Sequence, residues 1–316
     1  MALFEDIRAA KERITPYIAK TPLLRMRTLD EYLGCEVYVK AECMQITGSF
    51  KLRGALNRAL SLNHDELSHG FVCSSSGNHG RAVAFVAKML GTSATVVVPE
   101  TATQVKVEAI KALGAEVICC ETSQRFPISE EISRKKGAIL IPPFNDEFVM
   151  AGQGTIGIEI AQEHPELDAV VVPVSGGGLL GGVSCAVKSI AQKTKVYGAE
   201  PATLPRYSTS LAAGKITAVP KKKSLADALV CLSPGEKCFP VVSKYCDGVF
   251  AVEDKYMLKA MGTLLTVGKI FAEPSSCIGM GAVLQGLLPV SKNKKICFLI
   301  SGGNAGLEQV YKLLNE

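Results

Sequence analysis

The chain has 316 residues, of which 47% are hydrophobic and 21% charged, and its formal net charge is +5. This composition excludes a disordered or fibrous protein, and the length predicts two domains that share one cleft. With 6% aromatic residues and one dense basic run at 221–223, the sequence argues against a nucleic-acid partner. It also lacks a targeting signal and any apolar run of roughly 18 residues, so we expect a cytoplasmic protein with no membrane partner.

The cysteines indicate a reducing environment. There are eleven, an odd number, and no two form a CxxC pair. Several stand in apolar, strand-like stretches, namely Cys73, Cys119, Cys120 and Cys297. We interpret them as reduced core residues.

Short apolar runs alternate with helical patterns along the chain, which predicts an α/β fold with mainly parallel, twisted sheets flanked by helices. The expected strands, each buried on both faces, are 36–40, 70–73, 95–99, 116–119, 138–141, 169–174, 195–199 and 295–300. Apolar residues at helical spacing predict helices at 81–90, 104–113, 155–162 and 255–271.

The stretch 70–145 contains four strand–helix alternations and predicts a small domain inserted into a larger one. The large domain is then built from 1–69 and 146–316. A cleft between two such domains is the natural place for a ligand.

Three loops rich in glycine and serine follow expected strands, at 73–80, 175–182 and 301–304. Successive glycines allow backbone N–H groups to surround a phosphate, and a helix that starts after such a loop favours an anion. Taken singly, the first loop could be an N-cap and the third a simple turn. The second could belong to a dinucleotide fold, although its spacing fits the GxGxxG pattern poorly.

Lys51 distinguishes between these interpretations. It stands between a predicted tight turn at 47–49 and a helical run, and apolar Phe50 and Leu52 flank it. Such surroundings can desolvate a lysine and lower its pKa enough for attack on a carbonyl carbon. A solvated surface lysine is the alternative.

With this lysine and these loops, the chain resembles nearly end to end the fold-type II pyridoxal-phosphate enzymes, whose architecture is like that of tryptophan synthase β. Within them it is most similar to the serine racemase and serine/threonine dehydratase family. Other segments typical of the family follow in order at 20–23, 151–155 and 273–274. The resemblance implies pyridoxal 5'-phosphate as cofactor and a homodimer.

The resemblance also assigns roles around the cofactor. Lys51 would be the Schiff-base lysine, Phe50 would stack on the ring, and Asn78 would bind the ring oxygen. Ser301 would face the pyridine nitrogen, and a neutral partner there makes the ring a weaker electron sink than a carboxylate would. The implied phosphate site consists of Ser175, Gly176, Gly177, Gly178 and Leu179.

Ser76 matches the second base of the family, on the face opposite Lys51. Ser75, Ser76, Asn78 and His79 match the substrate-binding positions. Two bases permit racemisation, whereas loss of the β-hydroxyl from the same carbanion gives dehydration and then ammonia. Because both reactions share an intermediate, the sequence separates them poorly.

A divalent cation is doubtful here. The family binds it through a glutamate and a later aspartate, and Glu200 matches the first, but Arg206 stands where the second is expected. A cation would lose a hard oxygen ligand and meet a positive charge. We hypothesise that the Arg206 guanidinium replaces the metal by pairing with Glu200.

The favoured interpretation is a serine racemase that also dehydrates serine and threonine. A dehydratase without significant racemisation comes second, and an aspartate racemase or 3-hydroxyaspartate ammonia-lyase is disfavoured because loop 143–146 lacks the serine run of aspartate racemases. A cysteine-synthase-like enzyme, a silent ligand-binding relative and a nucleotide-binding protein remain open. Ala228 and Ser175 replace family glycines and leave the balance of activities undecided.

Overall fold

The computed structural model describes residues 2–75, 77–102 and 104–315, and its architecture is α/β, as predicted. The strands are β1 (Leu23–Arg25), β2 (Glu36–Ala41), β3 (Phe71–Ser74), β4 (Ala94–Pro99), β5 (Glu116–Cys120), β6 (Ile139–Leu140), β7 (Ala169–Pro173), β8 (Lys195–Pro201), β9 (Gly248–Val252) and β10 (Lys295–Ile300).

Helices cover both sheets. They are α1 (Ala2–Ile14), α2 (Asp30–Leu33), α3 (Lys51–Ala59), α4 (His64–Ser68), α5 (Asn78–Leu90), α6 (Gln104–Lys111), α7 (Arg125–Lys136), α8 (Glu147–Glu163), α9 (Gly178–Ile190), α10 (Arg206–Ala213), α11 (Cys238–Tyr245), α12 (Asp254–Thr266), α13 (Ile278–Leu284) and α14 (Leu307–Asn315). Within the described ranges, no helix combines the length and apolar character that crossing a membrane requires.

The strands of the described residues form two sheets. One has the order β1-β2-β10-β7-β8-β9 and is parallel except for β1, which runs antiparallel to β2. The other has the order β5-β4-β3-β6 and is parallel throughout. The second sheet uses strands between residues 71 and 140, inside the expected small domain 70–145, whose exact boundaries stay a prediction.

Four sequence-based expectations need correction. Strands β5 and β6 are not buried on both faces, because they lie at the two edges of their sheet. Glu116 and Cys119 of β5 are exposed, and both residues of β6 are only partly buried. Cys119 is therefore not a core residue. Strands β1 and β9 were not expected, since each is short and mostly only partly buried. Helix α12 ends before residue 271, and Lys269 has a left-handed φ of 58°, which a helix cannot contain.

Parallel strands bring their carboxyl ends to one edge of a sheet, and that edge is where α/β proteins bind ligands. The loops after β7 and β10 emerge side by side there, because these strands are direct neighbours. The loop after β3 emerges from the other sheet. All three loops line one cavity of about 1590 Å³.

Candidate active site

Lys51 enters this cavity as the first residue of helix α3. The preceding turn has Gly48 at φ 73°, a conformation that suits glycine, and it pairs with the loop after β10. Phe50 N donates to Ser301 O at 3.0 Å, and Gly303 N donates to Gly48 O at 2.9 Å. These bonds fix the start of the helix beside the third loop.

The ammonium group of Lys51 is held in an apolar setting. Its Nζ donates to the carbonyl oxygen of Pro143 at 2.6 Å and lies 5.0 Å from the centre of the Phe50 ring. Burial lowers the pKa of Lys51 to about 8, and the neighbouring Cys231 and Glu273 only partly oppose the shift. An appreciable neutral fraction near pH 8 makes this amine a nucleophile and a proton acceptor.

The loop after β7 is shaped for an anion. Gly177 has φ 101°, and a Cβ atom there would overlap the hydroxyl of Tyr207. A Cβ atom on Gly176 would overlap the ring of Phe144. Helix α9 begins at Gly178, and the N–H groups of its first turn lack acceptors within the helix. Ser175 and Leu179 line the same cavity.

A chain of polar side chains connects the loops of the two sheets. Asn78 Nδ2 donates to Glu273 Oε1 at 2.7 Å, and Asn304 Nδ2 donates to Asn78 Oδ1 at 2.8 Å. Burial raises the pKa of Glu273 to about 7, and nearby Asp227 adds to this shift. The sequence pointed to Glu273 only as part of a family segment, because nothing local reveals its burial.

Ser75, Asn78 and His79 lie at the start of α5 and line the cavity, while Ser76 is outside the described residues. The His79 ring is buried, and its Nε2 donates to the carbonyl oxygen of Ile141 at 2.8 Å. Burial and the charge of Lys51 lower the pKa of His79 to about 3. A neutral ring brings no positive charge to a carboxylate, so the backbone N–H groups of this helix start are the better donors.

Ser301 is buried beside a second serine. Its Oγ lies 3.0 Å from Ser276 Oγ, and Ser276 Oγ accepts from Gly302 N at 2.8 Å. Both hydroxyl groups are neutral. Among the described residues, the side-chain partner of the Ser301 hydroxyl is thus another hydroxyl group and not a carboxylate.

Gln153 is a cavity-lining residue that the sequence pointed to only as part of the family segment 151–155. Its side chain is 1% exposed, and neither its amide nitrogen nor its oxygen has a hydrogen-bond partner among the residues that the structure describes. An unpaired buried carboxamide is costly unless water or a ligand satisfies it. Gln153 belongs to helix α8, and only the folded chain brings it to the cavity.

Glu200 and Arg206 form the expected ion pair, although no direct hydrogen bond joins them within the described residues. Glu200 Oε2 accepts from Tyr207 N, and its Oε1 accepts from Ser208 N and Ser208 Oγ, all at 2.8 Å. Arg206 Nε is 3.8 Å from Glu200 Oε2, which is ion-pair distance. Burial raises the pKa of Glu200, and the donors at the start of α10 oppose the shift. In the described part of the chain, no group of three or more His, Cys, Asp or Glu residues could hold a metal ion.

Together, the two-sheet fold and the lysine-containing cavity define an enzyme of the pyridoxal-phosphate class. The family model described as pyridoxal-phosphate dependent enzyme matches residues 14–302, and the chain belongs to this family.

Individual relatives place it within the fold-type II enzymes. The chain is 38% identical to L-threonine ammonia-lyase of Thermotoga maritima, over 100% of this chain and 79% of that protein. It is 40% identical to serine racemase of Dictyostelium discoideum, over 98% of this chain and 97% of that protein. The solved structure of maize serine racemase matches with a TM-score of 0.93 at 36% identity, covering 99% of this chain and 96% of that one.

Proposed function

We propose that this enzyme interconverts L- and D-serine and also dehydrates serine and threonine to a 2-oxo acid and ammonia. The observation that carries the proposal is the amine of Lys51. Its pKa is lowered to about 8, and it lies in a cavity lined by three loops rich in glycine and serine that suit an anion. Relatives named serine racemase and L-threonine ammonia-lyase, each matched over nearly the whole of this chain, support both activities.

The residues fit pyridoxal phosphate in this cavity. The glycine cradle at 176–178 and the start of α9 would hold its phosphate, and Ser175 and Leu179 would complete that site. Asn78 and Ser301 would hold the ring from two sides. When bound, the cofactor supplies a carbon for attachment to the amino group and an electron sink for the α-carbanion.

The chain's own groups then move protons. The neutral Lys51 amine would take the α-proton from one face, and Ser76 would return a proton from the other, which inverts the α-carbon. Backbone N–H groups at the start of α5 would orient the substrate carboxylate. If the β-hydroxyl leaves as water before a proton returns, the product is dehydrated and its hydrolysis releases ammonia.

The test is product analysis of cofactor-loaded enzyme with L-serine. D-serine is measured by chiral chromatography and pyruvate by a coupled assay, and we expect both. Pyruvate alone would make the enzyme a dehydratase without significant racemisation. If neither product forms, the serine assignment is wrong, and L-threonine, L-aspartate and 3-hydroxyaspartate become the substrates to compare.

Ser76→Ala separates the two activities. Removing a positioned acid–base group costs about a hundredfold or more, so formation of D-serine from L-serine should fall by that factor. Pyruvate formation from L-serine should change little, because that reaction begins with Lys51. Ser68→Ala, at the exposed end of α4, is the matched control. Equal losses of both products would remove Ser76 from its role as the second base.

We also infer a cytoplasmic homodimer. All eleven cysteines are free thiols, which supports a reducing compartment. The dimer rests on the family resemblance alone. Light scattering coupled to size-exclusion chromatography measures the mass directly, and a monomer would contradict the inference.

A further inference from the structure

Arg206 is a charged side chain with no exposed surface, and it stands at the start of α10, just beyond the carboxyl end of β8. A buried guanidinium is costly unless its donors are paired. Its Nε donates to Leu204 O at 3.0 Å and its Nη2 to Leu229 O at 3.0 Å. Its Nη1 donates to Ser175 Oγ at 3.3 Å. One side chain thus connects three separate segments.

Ser175 is the first residue of the glycine loop, so these contacts reach the cofactor end of the cavity. The Ser175 hydroxyl also accepts from Cys231 N at 3.3 Å. The neighbouring residue, Tyr207, donates its hydroxyl hydrogen to Gly176 O at 3.0 Å. The first turn of α10 therefore holds the glycine loop at two successive residues.

The first turn of α10 also leaves this place unsuited to a divalent cation. Both carboxylate oxygens of Glu200 already accept hydrogen bonds from Tyr207 and Ser208, and the Arg206 guanidinium supplies the opposing charge. A divalent cation needs several free oxygen ligands and is repelled by a fixed positive charge. The residues at this place therefore do not fit one.

We propose that Arg206 is a built-in cation that neutralises Glu200 and holds the glycine loop at Ser175, so that this enzyme needs no divalent metal to position its cofactor. Arg206 does not contact the reacting atoms, and it acts through Ser175 and Leu229. The effect on the cofactor rests on the phosphate site proposed above. The independence from divalent metal does not rest on that proposal, because the unfolding temperature tests it directly.

The first experiment compares the wild-type holoenzyme in chelator with the same enzyme in Mg²⁺, Ca²⁺ or Mn²⁺. We measure the unfolding temperature and the dissociation constant of pyridoxal phosphate, followed by its visible absorbance. Neither should change between conditions. A chelator-induced fall in either affinity or unfolding temperature that Mg²⁺ reverses would overturn the proposal.

The second experiment removes the charge. Arg206→Met should raise the dissociation constant of pyridoxal phosphate by about tenfold or more, which corresponds to losing a charge-assisted hydrogen bond. Arg206→Lys should give an intermediate value, because it keeps the charge but loses the planar set of donors. Arg27→Met, at an exposed arginine, is the control. Equal affinities of the Met variant and wild type, or of the Met and Lys variants, would contradict the proposed role of the charge.

The third experiment exchanges the built-in cation for a bound one. Arg206→Asp places two carboxylates together, so its unfolding temperature and cofactor affinity should become dependent on Mg²⁺ or Ca²⁺. An Arg206→Asp enzyme that folds and binds cofactor equally well in chelator would show that no cation is needed there. If this variant does not fold in any cation, the wild-type titration and the Arg206→Lys result decide the question. None of these measurements requires a substrate, so they stand apart from the choice between racemase and dehydratase.

Discussion

The two walls of the cavity differ in how they are held. The wall built on the six-stranded sheet contains Lys51 and the loops after β7 and β10, and fully buried charged groups connect its parts. The wall built on the four-stranded sheet ends in an exposed edge strand, β5. An apolar core that includes Leu52 and Leu56 of α3 and Ala82 of α5 joins it to the first wall, together with side-chain hydrogen bonds.

Behind the first wall lies a closed network of charges. Arg53, two residues after the reactive lysine in α3, donates to Glu42 at 2.9 Å and to Glu159 at 2.6 Å. Lys40 donates to Glu159 at 2.6 Å, and Thr21 contacts both Glu42 and Arg53. The network connects β2, α3 and α8, so the start of the lysine helix has little freedom to move.

Several polar contacts join the second wall to the first. Asn78 reaches Glu273, Arg81 Nη1 donates to Asn304 Oδ1 at 2.8 Å, and Lys106 Nζ donates to Asp227 Oδ2 at 3.0 Å. The last pair is 32% and 41% exposed, which makes it weak in water. The reactive lysine thus belongs to the wall held by buried charges, whereas the substrate-binding wall is joined to it by a shared apolar core and by these polar contacts.

The largest expected effect on stability comes from Arg53→Met, which disrupts the buried charge network of the first wall. Removing one member of a buried charge network leaves carboxylates unpaired and costs about 3–5 kcal/mol of unfolding free energy. Urea unfolding of the cofactor-free protein measures the loss. Arg8→Met removes an exposed arginine and should cost well under about 1 kcal/mol. A loss for Arg53→Met as small as this control would mean that the network does not stabilise the wall.

The titration of Glu273, which lies at the contact between the walls, should make the unfolding free energy depend on pH. Its folded pKa of about 7 lies above the ordinary value of 4.5, so the folded protein binds the proton more tightly than the unfolded chain does. Stability from this group is complete below pH 4.5 and is lost as the pH rises through about 7, on the order of 3 kcal/mol in all. Asp227 strengthens the shift, and Asn78 and Lys106 weaken it.

We therefore expect Glu273→Gln to flatten the fall in unfolding free energy between pH 5 and pH 8 in cofactor-free protein. Glu31→Gln, on the exposed side of α2, should leave the slope intact. The measurement is urea unfolding at several pH values. An unchanged slope in Glu273→Gln would assign the pH dependence to other groups.

The smallest effect should come from Lys106→Met, which removes the exposed ion pair with Asp227 between the two walls. Exposed pairs contribute about 1 kcal/mol or less, so KM for serine should rise by at most about fivefold. The rate constant kcat should stay the same, because Lys51 and the phosphate loop are untouched. Lys135→Met, which breaks a pair within α7, is the control. A tenfold fall in kcat would show that this pair contributes more to the site than its exposure predicts.

Local sequence properties determined much of this protein. The alternation of strands and helices follows from hydrophobic periodicity, and the turn at Gly48 and the cradle at Gly177 require conformations that glycine adopts readily. The chain order of the parallel strands then brought the three predicted loops to one cavity. Lys51 could be recognised because its apolar neighbours are adjacent in the sequence.

Tertiary structure decided the rest of the electrostatics of the site. The high pKa of Glu273 and the low pKa of His79 follow from burial by segments far away in the chain. Arg206 forms the expected ion pair with Glu200, but its hydrogen bonds go to backbone oxygens and Ser175, while backbone N–H groups at the start of α10 donate to the carboxylate. Residue types can be read from a sequence, but the desolvation and hydrogen-bond partners that set their charge exist only once distant segments pack together.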